Sequence, residues 1–167
     1  MIDFGCPSRP SSFCVISHWV QGQLIFYVLD PLQGQGKEVI RTKLGHASDL
    51  EWIISPDGSH IAIRSWAQLR GQVRILDLRN GTEWNLQLPQ TWNIEGHCWA
   101  ADGNALFAGV SSMGAASIAR IDLDGKTRIL LKGKNGVVGD PRTSSDGRHL
   151  ANFQETFENN VWLLENF

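Results

Sequence analysis

The sequence predicts an all-β chain built from repeated four-stranded units. Three observations predict it. A turn signature recurs at Ser55-Pro56-Asp57-Gly58, Ala100-Ala101-Asp102-Gly103 and Ser144-Ser145-Asp146-Gly147, so the Asp-Gly pairs step by 45 and then 44 residues. A second signal keeps nearly the same step: Asp30 near Gly34 and Gly36, Asp77 near Gly81, and Asp122 near Gly125, at intervals of 47 and 45. No segment holds an apolar period of about 3.6 residues long enough for a helix.

Each element follows from these signals. Asp-Gly supplies the positive φ that tight hairpins need. Between turns, Ile61-Ala62-Ile63-Arg64 and Val73-Arg74-Ile75-Leu76-Asp77-Leu78 read as short strands. The second unit is expected at about 50–55, 60–66, 72–78 and 83–88, and the third at about 96–100, 104–110, 116–123 and 127–132. The first unit reads backwards as Phe13 to Trp19, Leu24 to Asp30 and Glu38 to Leu44. The last reads forwards as Gly139 to Ser144, His149 to Gln154 and Asn160 to Glu165.

A fixed period of this length marks repeated supersecondary units. Four-stranded units arranged radially make a β-propeller. The 167 residues hold about 3.7 such units, with blades expected near 12–48, 49–90, 94–133 and 137–167 of a single domain. That is a small ring or part of a larger one. An open arc would expose apolar end faces and strand edges, which drive self-association.

Composition narrows the function classes. An apolar fraction of 42% with 19% charged residues suits a folded chain. A net charge of −2 gives no attraction for nucleic acid or anionic lipid. No apolar run approaches the ~18 residues of a membrane span, and Met1-Ile2-Asp3-Phe4-Gly5 does not start a signal peptide. Seven tryptophans against one tyrosine suit stacked sheets, whose gaps large flat side chains fill. Cys6 and Cys14 lie eight apart across a Pro-Ser-Arg-Pro-Ser-Ser loop, either as a disulfide or as two free thiols. Cys98 reads as a small hydrophobe in a buried strand.

The stretch Ser55-Pro56-Asp57-Gly58-Ser59-His60-Ile61-Ala62-Ile63, followed by Ile75-Leu76-Asp77-Leu78-Arg79-Asn80-Gly81, resembles the TolB-like, WD-repeat-like propeller repeat. From Phe26-Tyr27-Val28-Leu29-Asp30-Pro31 to Asn160-Val161-Trp162-Leu163-Leu164-Glu165-Asn166-Phe167, the chain resembles the C-terminal half of a bacterial propeller region. That region occurs at the end of membrane-anchored serine/threonine protein kinases and of winged-helix transcriptional regulators, and the Cys-x7-Cys segment fits it. The resemblance implies a signalling-associated sensor or interaction module in a periplasmic or other extracytoplasmic setting; a cytoplasmic one stays open. The family's rings have more blades than this chain builds alone. The chain shows no Gly-rich phosphate loop, His-Arg-Asp motif or recognition helix, so kinase or regulator activity would belong to sequence beyond these residues.

Catalytic and metal motifs are thin. His18, His46, His60, His97 and His149 fall in different units without His-x-x-x-His or Cys-x-x-Cys pairing, so no metal site and no cofactor are expected. His60 and His149 take matching places after the Asp-Gly pair, which reads as a turn-flanking role. Gly109-Val110-Ser111-Ser112-Met113-Gly114 fails the nucleophile-elbow pattern at its last glycine. Asp57, Asp102 and Asp146 read as acceptors for turn backbone N–H groups rather than calcium ligands.

Binding remains. Loops between strands two and three, and between units, carry Trp66, Arg70, Trp92, Met113 and Phe157. These are candidate contacts for a protein or peptide, and Trp, Arg and large apolar residues are usual hot-spot types; the competing reading packs the aromatic ones under their own loops. The expected function is therefore a non-catalytic interaction or sensor module. The alternatives are a hydrolase or lyase using Glu51, His97, Asp140 and Arg142 of the inner strands, and a carbohydrate-binding propeller.

Overall fold

The structure, a computed structural model, describes residues 2–9, 13–44, 50–65, 69, 71–133 and 137–155. Every regular element among them is a strand or a turn. The first sheet holds β1 (Ile2–Gly5), β2 (Cys14–Val20), β3 (Gln23–Asp30) and β4 (Gly34–Lys43). The second holds β5 (Leu50–Ile54), β6 (His60–Ser65), β7 (Gln72–Asp77) and β8 (Thr82–Gln87). The third holds β9 (Asn93–Trp99), β10 (Ala105–Ser112), β11 (Ala115–Asp122) and β12 (Thr127–Lys132). The fourth pairs β13 (Val137–Thr143) with β14 (Leu150–Glu155). All pairings are antiparallel between strands consecutive in sequence.

The recurring signature folds the same way three times. Gly58, Gly103 and Gly147 take φ of 74°, 79° and 70°. The amide of each donates to the carbonyl three residues back, on Ser55, Ala100 and Ser144, at 2.9–3.0 Å. The Asp Oδ1 atoms accept the backbone N–H two residues on, from Ser59 (3.1 Å), Asn104 (3.0 Å) and Arg148 (3.0 Å). The His60 and His149 amides donate to the Ser55 and Ser144 hydroxyls at 2.9 and 3.0 Å, so their shared role is in the backbone. Asp30 and Asp77 each accept two backbone N–H bonds after strand three. In the third sheet that turn differs: Asp122 pairs with Arg120 and Asp124 accepts the Lys126 amide.

The second and third sheets match the expected strands closely. The first gains β1, which the reading from residue 12 omits. Four residues, Ile-Asp-Phe-Gly, are too short to show an alternation, and their partner β2 lies beyond the Cys6–Cys14 loop. The third strand expected at Asn160 to Glu165 lies outside the described residues.

Apolar residues between sheets hold the stack together. Val15, Leu24, Phe26 and Ile40 of the first sheet meet Trp52, Ile61, Ile63 and Leu76 of the second. Ala62, Val73, Ile75 and Leu86 meet Trp99, Leu106, Ala108 and Ile121 of the third. Ala116 and Ile118 meet Val138 of the fourth. Each fully buried large side chain contributes about 1.5–3 kcal/mol. Tryptophans fill the seams. Trp52 stands edge-on to Phe26 at 5.1 Å and donates Nε1–H to Ser17 Oγ at 3.0 Å. Trp99 donates to the Ile53 carbonyl at 3.2 Å. The first strands lie side by side: β5 contacts β9, and β9 contacts β13.

Candidate functional site

The inner strands carry the ionisable groups that an enzyme would need, and two of these groups are tied to each other. Glu51 on β5 pairs with Arg64 of the adjacent β6. The fully buried His97 of β9 places Nδ1 at 3.7 Å from Glu51 Oε2, an electrostatic contact too long for a hydrogen bond. Its Nε2 lies 3.5 Å from the Ala62 carbonyl. Burial pushes the Glu51 carboxyl up, but His97 and Arg64 outweigh that and hold it at about 2. Arg64 also donates to the Ile94 carbonyl at 3.1 Å, joining the second and third sheets. Ser111, which the failed nucleophile pattern contains, donates to Glu95 Oε1 at 2.6 Å. Among the described residues no three His, Cys, Asp or Glu gather as a metal site.

Of the loop candidates, Trp92 is half-buried and packs on the core between the second and third sheets. Met113 is 97% exposed at a hairpin tip with φ of 49°. The two sit on the same end of the stack, where strand-two-to-three hairpins and links between sheets emerge. Trp66, Arg70 and Phe157 lie outside the described residues.

A cavity of about 470 Å³ opens at the other end, beside the Asp-Gly turns. Its wall takes Ile53 and Ile54 from β5, Trp99 from β9 and Arg142 from β13, with Cys6 and Ser8 closing one side. All four sheets, or the loops leaving their first strands, reach it. Cys6 and Cys14 are joined, with an S–S distance of 2.00 Å. The loop they close reaches across the stack: the Arg9 amide donates to the Pro56 carbonyl at 3.0 Å, and its guanidinium donates to the Ala101 carbonyl at 2.6 Å. The first sheet is thereby strapped to the Asp-Gly turns of the second and third. Cys98, half-buried in the cavity wall, has its thiol pushed up to about 11 by burial, against the opposing pull of Thr143 hydrogen bonds and the Arg142 charge. The strap and this cavity were not visible in the residue patterns, because the strap joins positions 92 apart and the cavity gathers residues from Cys6 to Ser145.

Sheets stacked through their broad faces, with first strands adjacent along one inner line, decide the architecture. The fold is a β-propeller. Its geometry is similar to TolB from Acinetobacter baumannii, with a TM-score of 0.65 and 18% identity over 89% of this chain and 36% of that one. It is also similar to the Cps50 (Swd1) beta-propeller domain of Myceliophteria thermophila, with a TM-score of 0.57 and 18% identity over 85% of this chain and 45% of that one. The tricorn protease matches with a TM-score of 0.57 and 15% identity over 90% of this chain and 14% of that one. The propeller thus spans less than half the length of each of these chains. No protein-family model matches it, and no curated protein does.

Proposed function

We propose that this propeller is a non-catalytic interaction or sensor module, the C-terminal part of a larger extracytoplasmic signalling protein of the kinase- or regulator-associated kind. The observation that carries the reading is that Glu51 and His97, two of the inner-strand candidates, lie against each other while Glu51 pairs with Arg64, which commits these two to holding the second and third sheets together. Exposed Met113 and half-buried Trp92 then offer the end of the stack to a protein or peptide. The scaffold alone carries no activity, since one fold hosts many functions.

Selection of peptides from a random displayed library against the immobilised propeller tests this. The expected outcome is binders whose affinity falls about tenfold or more with Met113→Ala or Trp92→Ala, the hot-spot range. Binders indifferent to both changes, or no binders, would overturn the loop-face reading. Turnover of model glycosides, peptides or esters that vanishes with His97→Ala would overturn the non-catalytic reading.

The propeller also self-associates in this reading, or is covered by further blades. The register of the first sheet places Phe4, Ile16 and Tyr27 on one face, opposite Val15, Leu24 and Phe26. Phe4 is 68% exposed there. Light scattering coupled to size exclusion should show the purified 167 residues above monomer mass.

A further inference from the structure

We propose that the cavity beside the Asp-Gly turns binds a small apolar carboxylate. This goes beyond the loop-face reading and stands apart from it, since the cavity occupies the opposite end of the stack. A volume of about 470 Å³ falls in the usual range of small-molecule pockets, roughly 300–1,000 Å³. The lining includes the apolar residues Ile53, Ile54, Pro56 and Trp99. The lining also includes Arg142, Ser8 and Ser145.

The donors among the lining residues are not all committed. Thr143 donates its hydroxyl to the Trp99 carbonyl at 2.9 Å, and Ser144 donates to Asp146 Oδ1 at 2.5 Å, so both are spent on structure. Arg142 donates one N–H to the Pro141 carbonyl at 2.9 Å. Among the described residues no carboxylate pairs with its guanidinium, whereas Arg41, Arg64, Arg79 and Arg120 each have an acidic partner. Asp146, the nearest acid in sequence, is held by Ser144 and by the Arg148 amide. A planar fork of N–H donors beside an apolar wall matches a carboxylate on an apolar body: the guanidinium takes both oxygens, and the body covers Ile53, Ile54 and Trp99. An uncharged ligand would leave the cation without its pair, and a strongly polar one would leave the apolar wall uncovered.

Calorimetric titration with N-acetylleucine and with N-acetylleucinamide separates these cases. The acid is expected to bind, and the amide to bind at least about tenfold more weakly, the value of one charged hydrogen-bonding contact. Arg142→Met should reduce affinity for the acid about ten- to a hundredfold, leave the amide unchanged and leave thermal melting unchanged, because Arg142 is exposed. Ser145→Trp, which fills the cavity while keeping the cation, should abolish binding of the acid. Met113→Ala, at the far end, should not alter it. Equal binding of acid and amide, undiminished acid binding by Arg142→Met, or no binding of either probe would overturn the proposal.

Discussion

A few side chains work between sheets rather than within them. Thr42 donates to Glu83 at 2.6 Å and accepts from Arg74 at 2.8 Å, and Thr143 bonds the Trp99 carbonyl, so polar ties cross the seams beside the apolar ones. Glu51 adds a pair within the second sheet, with Arg64, to its contact with His97 of the third. Glu51→Gln removes the carboxylate that pairs with the Arg64 guanidinium, which is only 14% exposed. Unfolding free energy should fall by about 1–2 kcal/mol in urea titration, a value discounted because the carboxylate is partly open to solvent. The pH dependence follows from the same pair. The folded carboxyl sits at about 2, below its ordinary 4.5, so its contribution is complete above about pH 4.5 and is lost as pH falls toward 2. Asp57 behaves alike: burial pushes it up, yet the Ser59 and Ser55 hydrogen bonds and Arg79 hold it at about 2. Melting temperature should therefore drop between pH 4.5 and 2, and the drop should shrink in Glu51→Gln.

At the scale of elements, the fourth sheet packs on the third through glycines. A Cβ on Gly109 would lie 2.5 Å from the Val138 carbonyl oxygen and 2.7 Å from Gly139 Cα, both backbone atoms that cannot swing aside. Gly109→Ala should cost about 1–3 kcal/mol and speed proteolysis of β13 and β14. The loop from Cys6 to Cys14 is the other element whose loss is measurable. Closing so short a loop removes unfolded-state entropy worth about 2–3 kcal/mol, so the double variant Cys6→Ser, Cys14→Ser should lose about that much stability. The repeated hairpins were legible in sequence because their geometry is local: Asp accepts two residues ahead and glycine takes the positive φ. The third-sheet departure, with Asp124 in place of Asp122, was not, since Arg120 draws Asp122 away through a side-chain contact. Nor was β1, whose strand character comes from pairing with β2 and not from its own four residues.

For the whole molecule, the seams between sheets were readable as apolar alternation, while the cavity was not, because four separate parts of the chain contribute to it. The outward face of the first sheet has no partner sheet among the described residues. Phe4→Asp places a charge on its edge strand, β1, and should shift the purified propeller toward monomer in light scattering, with little change in melting, since Phe4 is 68% exposed. An unchanged mass would show that this face takes no part in assembly. The Arg9 contacts have a separate consequence for the order of folding. Arg9, which carries the strap, is synthesised 92 residues before its acceptor at Ala101. The loop cannot dock fully until the third sheet has emerged, so a segment made well before its acceptor is among the last of these residues to reach its final place.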